Sequence, residues 1–339
     1  MKVRIDGSYG EGGGQILRTS LSMAMVLGVP VEVYNIRAKR GRPGLRPQHL
    51  ETIRALAEIG DAEVEGAFLG STKISFSPKR VKPGRYRFDI GTAGSVTLML
   101  QALIPALSFA ELESEVEVVG GTDVRWSPTS NYFKLVFLKA LKKIGISVEF
   151  EIERRGYYPR GGGIVRARVR PGRPRPLKLV EAALPNPSVV SVCSRLPRSV
   201  AERQARAAVM SLEGQGVRVS KSEVLVEPAP SPGTSILVYS VGEGGPFVGS
   251  DGIGEKGKPA EIVGREAADG YLAEYRRGAT IDSHLADMLV PYLSMADGES
   301  AFKTGTFSEH LKTNLYISKL FTGCEYELSD DGIVRIRKT

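Results

Sequence analysis

Cysteine is scarce in this chain: only Cys193 and Cys324 occur in 339 residues, far apart and without Cys-x-x-Cys spacing. That argues against both a disulfide framework and a cysteine zinc site. Long apolar runs are missing too. The longest, near Leu98 to Phe109, is interrupted by Gln101 and Pro105, and the N-terminus begins with a strand pattern instead of a basic-then-apolar leader. A soluble, reduced, cytoplasmic protein is expected. Tryptophan occurs once and histidine three times, whereas glycine (39 residues) is plentiful and the formal net charge is +8. Such a balance suits a polyanionic partner or an ordinary basic enzyme, and the length allows a sizeable core in more than one domain.

The glycines concentrate where they matter for chemistry. A short apolar strand, Val3 to Ile5, ends in Asp6-Gly-Ser-Tyr-Gly-Glu-Gly-Gly-Gly14, and helical spacing begins directly afterwards with Ile16, Leu17 and Leu21. A glycine loop opening a helix lets backbone N–H groups approach an anion, with the helix dipole assisting. One carboxylate, Glu11, sits inside this loop, which makes it a candidate ligand for the Mg²⁺ or Mn²⁺ carried by a nucleotide. A tight turn with a solvated glutamate is the alternative.

The chain also repeats itself. Second-helix endings at Ile59-Gly60, Ile144-Gly145 and Thr322-Gly323 are separated by about 85 and then about 178 residues, so the second gap holds one extra small domain. The expected fold is α/β: three βαβαββ modules (about 1–85, 86–180 and 277–339) form a large domain of 1–180 plus 277–339, and 181–276 is an inserted small domain.

Two of the three histidines, His49 and His310, open corresponding second helices, and His284 opens a first helix. At a helix N-terminus the dipole favours the neutral, nucleophilic imidazole. Beside His49 lies the basic run Arg37 to Arg46, suited to several phosphates or to solvent. A second run, Arg154 to Lys178, reads either as a polyanion track or as a hairpin with a charged outer face. The segment Gly252-Ile-Gly-Glu-Lys-Gly-Lys258 mimics a P-loop, but Pro259 occupies the magnesium-ligating Ser/Thr position and no clear hydrophobic strand leads into it.

Taken together, Arg155-Gly-Tyr-Tyr-Pro-Arg-Gly-Gly-Gly163, Gly10-Glu-Gly-Gly-Gly-Gln-Ile-Leu-Arg18, Arg42-Pro-Gly-Leu45 with Gln48-His49, Gly120-Gly-Thr-Asp123, Leu285-Ala-Asp287 and the His310 region with Asn314 resemble the RNA 3′-terminal phosphate cyclases over essentially the whole chain. The resemblance implies a thioredoxin-like insert and a ligase-class reaction with ATP, a divalent metal and RNA bearing a 3′-phosphate, performed by a monomer or homodimer. It implies His310 as the residue that becomes adenylylated and Glu11 as the metal ligand. Gln101 and Pro128 match positions around the adenine, the run His284, Leu285, Ala286, Asp287 and Met288 a nucleotide-binding segment, and Arg18, Arg40, Gln48 and His49 groups around the phosphates. Arg37, Arg42 and Arg160 are candidates for RNA phosphates. His284 departs from the family pattern, since some members carry a stacking tyrosine there; imidazole stacks with less area. Two other readings remain: a cyclase-like ribosome-assembly protein, which would lack the histidine nucleophile, and an enolpyruvyl transferase, which also repeats βαβαββ units.

Overall fold

Alternation of buried and half-buried residues sets the first strands. A computed structural model describes residues 2–338 and begins with β1 (Val3–Asp6), α1 (Gly14–Leu27), β2 (Val31–Tyr34), α2 (Pro47–Gly60), β3 (Glu63–Glu65) and β4 (Ile74–Ser77). Val31, Val33, Ile74 and Phe76 point inward, as the period of two requires when one sheet face covers a core. β1 runs parallel to β2, with α1 as the crossover, and β4 then pairs antiparallel with both β2 and β3. The sheet order is β1-β2-β4-β3.

Next come β5 (Arg85–Asp89), α3 (Val96–Ser108) and β6 (Ser114–Gly120), followed by α4 (Ser130–Tyr132), which passes through a π-helical turn at Phe133–Phe137 into α5 (Leu138–Lys143). β7 (Val148–Arg154) and β8 (Gly163–Val169) complete a sheet of order β5-β6-β8-β7, with the same parallel and antiparallel pairings. α3 is apolar nearly all round and lies centrally against α1 and α2. Leu98 and Gln101 are the breaks in its burial.

After β9 (Lys178–Leu179) the chain builds a separate sheet from β10 (Ser188–Ser194), β11 (Lys221–Val226), β12 (Gly233–Val241) and β13 (Phe247–Ile253), with α6 (Arg198–Glu213) and α7 (Ala260–Arg276) packed on it. Val189, Leu212, Ile236, Val263 and Tyr271 belong to its own core. Strand β13 overturns one expectation: a strand does lead into Gly252–Lys258. Its Gly249-Ser-Asp-Gly252 stretch is too polar and glycine-rich to announce a strand, although Phe247 and Val248 are buried. The P-loop reading therefore fails on Pro259, the residue capping α7.

The last stretch holds α8 (Ser283–Leu293), β14 (Gly298–Lys303), α9 (Glu309–Thr322), β15 (Glu325–Leu328) and β16 (Ile333–Lys338). Its sheet, β9-β14-β16-β15, takes its first strand from before residues 181–276 and the rest from after them. α1 packs on α9, and α9 on α8. Among the described residues no helix is long and apolar enough to cross a membrane.

Candidate active site

The starts of α8 and α9, the part of α1 directly after the glycine loop, the open side of α3 and the segment Arg125–Pro128 surround a cavity of about 600 Å³. That is the size of a typical small-molecule site. Gln15 and Arg18 reach it from α1, Gln101 from α3, His284 and Asp287 from α8, and His310 and Asn314 from α9.

His310 is the second residue of α9, whose first turn is fixed by Ser308 Oγ accepting the Leu311 N–H at 3.0 Å. Its Nδ1 touches Gln15 Oε1, and its Nε2 lies 3.4 Å from Glu11 Oε2. An amide oxygen at Nδ1 suits the tautomer with its proton on Nδ1 and its lone pair on Nε2. Burial depresses the His310 pKa, Glu11 opposes the shift, and Arg18, His284 and Arg40 add to it. The neutral form needed for nucleophilic attack is thereby favoured. One turn along α9, Asn314 accepts from Thr19 Oγ1 at 2.8 Å and donates to the Asp287 carbonyl at 2.7 Å, tying α9 to α1 and α8.

The glycine loop is pressed against the second basic layer. A Cβ added at Gly14 would collide with His49 Nε2 and crowd Arg18 Nη1, so a side chain at Gly14 would displace the groups behind the loop. His49 Nδ1 accepts the Arg46 N–H at 3.1 Å, which leaves the proton on Nε2. Burial, then the charges of Arg18, Arg37 and Arg46, push its pKa down to about 3. Burial also lowers the Arg18 guanidinium to about 10, against the attraction of Asp287. Gln48 Oε1 accepts the Ser95 N–H at 3.2 Å and so links α2 to the start of α3. Arg40 pairs with Glu11 at 3.2 Å.

His284 departs from the expectation that a helix N-terminus lowers the pKa of all three histidines. Enclosure alone would lower its pKa, but Asp282, Asp287, Asp251 and Glu274 outweigh it and raise the value. Asp282 is the N-cap of α8: its Oδ1 accepts from the His284 and Leu285 N–H groups and from Tyr132 Oη, and its Oδ2 from the Gly249 N–H. Asp287 is pushed up to about 7 by burial, with Asp282 and Glu11 adding and His284 and Arg18 opposing. Within the expected nucleotide segment, His284, Asp287 and Met288 line the cavity, while Leu285 and Ala286 are fully buried in the core.

Deeper in, the Gln101 amide nitrogen is buried without a hydrogen-bond partner among the described residues. An unused donor in a largely apolar recess suits a heteroaromatic nitrogen such as those of adenine. Pro128 also lines the cavity and is held by its carbonyl accepting from Thr97 Oγ1, one turn before Gln101 on α3, at 2.9 Å. Among the described residues no three metal-ligating side chains meet. Glu11 alone fits a hard cation whose remaining ligands are phosphate oxygens and water.

The basic runs divide. Arg37 donates to the Arg42 and Gly44 carbonyls and shapes its own loop, whereas Arg42 and Arg160 are exposed without an ion pair among the described residues. Arg166, Arg168 and Arg170 pair with Glu113, Glu115, Glu117, Glu149 and Glu153 across the sheet, so this part of the run is a charged outer face. Arg155 is buried and bonded to Asp123 at 3.1 Å, Asn131 at 2.9 Å and Glu227 at 2.6 Å. Gln15, Asp282 and Glu227 were not legible as site or scaffold residues; for Gln15 the signal was its place directly after the glycine loop.

Comparison with known proteins agrees over the whole length. The family described as RNA 3′-terminal phosphate cyclase matches residues 9–328. Proteins named RNA 3′-terminal phosphate cyclase from Staphylothermus marinus (49% identical, covering 94% of this chain and 92% of that one) and Methanopyrus kandleri (48%, 96% and 95%) are similar to it. So is one from Thermococcus kodakarensis, at 44% identity over 99% of this chain and 98% of its own. A solved enolpyruvyl transferase from Streptomyces tendae aligns over 99% of this chain and 81% of its own at 11% identity, with a TM-score of 0.24, too low to bear on the fold.

Proposed function

The chain belongs to the RNA 3′-terminal phosphate cyclase family, and from that premise we propose that it uses ATP to convert an RNA 3′-phosphate into a 2′,3′-cyclic phosphate through adenylylated His310. In the first step Nε2 of His310 attacks the α-phosphorus. The N–P bond forms, the bond to the bridging oxygen breaks, and diphosphate leaves. An oxygen of the RNA 3′-phosphate then attacks the same phosphorus, breaking the N–P bond and restoring the imidazole. Finally the 2′-oxygen attacks the RNA phosphorus, AMP departs, and the hydroxyl proton passes to solvent.

A phosphate monoester is a poor electrophile, and linkage to AMP supplies a leaving group. Arg18 and Arg40 offset charge on the crowded phosphates. A divalent cation held by Glu11 would add Lewis-acid stabilisation at those oxygens. Gln101 and Pro128 seat the adenine, with His284 stacking beside it. The substrates on this reading are ATP and RNA in the cytoplasm.

The observation that carries the reading is His310 lining the same cavity as Arg18, with its Nε2 3.4 Å from Glu11 of the glycine loop and its pKa held down by burial. The test is to incubate the protein with ATP, Mg²⁺ and an oligoribonucleotide ending in a 3′-phosphate. Cyclic-phosphate ends with AMP and diphosphate are expected; unchanged 3′-phosphate ends under conditions of verified folding would contradict it.

A further inference from the structure

The chain's single tryptophan stands at the mouth of the same cavity and is 90% exposed, the most exposed large apolar side chain among the described residues. Resting on the cyclase reading above, we propose that the Trp126 indole is the stacking platform for a nucleobase at the 3′ end of the RNA substrate.

The backbone around Trp126 is built to present the ring. Trp126 has φ 60°, a left-handed conformation that a bulky side chain adopts only when its surroundings impose it. The loop is fastened on one side by Ser127 Oγ donating to the Val124 carbonyl at 2.8 Å and Thr97 Oγ1 donating to that of Pro128. On the other side, Arg125 pairs with Glu255 and the Thr129 N–H donates to Asp251 Oδ2 at 2.6 Å, both partners lying on the inserted domain. Held at both ends, the backbone that carries the ring is ordered before anything stacks on it.

Space and order of events select the occupant. The recess of about 600 Å³ accommodates one nucleotide. After the first step it holds AMP on His310, with the adenine beside Gln101. The nucleoside that brings the RNA phosphate therefore has to lie at the opening, and there Trp126 offers a bare π-face. An adenine seated on Gln101 leaves that face free, because Gln101 lies on the enclosed side and the indole faces out. Stacking is tolerant of base identity, as an enzyme acting on a terminal phosphate needs. The chain's net charge of +8 favours a polyanion over an apolar peptide as occupant.

Because Trp126 is the only tryptophan, the protein's tryptophan fluorescence reports on this side chain's surroundings. The test titrates full-length protein with an oligoribonucleotide ending in a 3′-phosphate, with binding followed independently by anisotropy of a 5′-labelled copy. Tryptophan quenching that tracks the anisotropy curve is expected, and Trp126→Ala should bind the oligonucleotide roughly 5- to 150-fold more weakly, with Trp126→Phe recovering most of the loss. ATP affinity of Trp126→Ala should stay within about twofold of the parent, since stacking energy is lost only from the RNA complex. RNA binding with unchanged fluorescence, or a parallel loss of ATP affinity, overturns the proposal while leaving the cyclase reading in place. No RNA binding by the folded parent defeats both.

Discussion

Nε2 of His310, near the end of the chain, lies 3.4 Å from Oε2 of Glu11, near its beginning. The contact joins the only carboxylate of the glycine loop to the residue assigned the covalent step. Since Glu11 raises the His310 pKa against the larger effect of burial, its removal leaves the imidazole neutral and isolates the metal role.

Glu11→Gln should therefore keep its fold and lose metal-assisted chemistry. The ion pair it gives up, to half-exposed Arg40, is of a kind worth about 0–1 kcal/mol. Losses of even outer-shell partners cost metal sites about 10- to 100-fold, so adenylylation at limiting Mg²⁺ should fall by at least about tenfold and recover as metal is raised. Metal titrations of the labelling rate check this; an unchanged metal dependence would remove Glu11 from the ligand set.

His49 predicts a pH signature in stability. Its folded pKa, about 3, is depressed from the ordinary histidine value of about 6.5, so below that value the unfolded chain binds a proton that the folded chain refuses. Stability should fall as pH drops from about 6.5 towards 3, by up to roughly 1.4 kcal/mol per unit from this residue. Asp287, raised to about 7, contributes with the opposite sign above its unfolded value of about 4, so the comparison has to be made against His49→Gln. Denaturant unfolding at pH 7 and 5 should show a shallower loss in the variant; identical slopes would contradict the assignment.

Arg155→Leu should be severely destabilising. It leaves Asp123, fully buried and also capped by the Thr122 hydroxyl, without its cation, and unties Glu227, directly after β11. Breaking a buried pair from one side costs about 3–5 kcal/mol, which chemical denaturation resolves easily. A loss below about 1 kcal/mol would mean that the pair contributes no more than a surface contact.

Arg155 also shows what the sequence can and cannot disclose. Its motif was legible as a family signature, yet the side chain is a buried rivet between Asp123 after β6 and Glu227 after β11, and nothing in the spacing of charges reveals a partner 72 positions away. Helix starts were readable because periodicity and loop composition are local: the glycines before α1 and the helical spacing after them announce themselves. The direction of the His284 shift was not, because two of the four carboxylates that decide it, Asp251 and Glu274, come from β13 and α7. Strand β9 was missed as a member of the last sheet for a related reason, since two residues of pairing across the insert leave no periodic trace. The Arg166–Arg170 run could be read either way until the glutamates of β6 and β7 were seen opposite it.

The central claim is covalent, and it is tested most directly by incubating the protein with ATP labelled at the α-phosphate and Mg²⁺, denaturing it, and mapping the label. The account predicts one AMP per chain on the imidazole of His310, stable to alkali and released by acid, and none on His310→Ala. Equal labelling of parent and variant, or AMP mapped to another side chain, would contradict it.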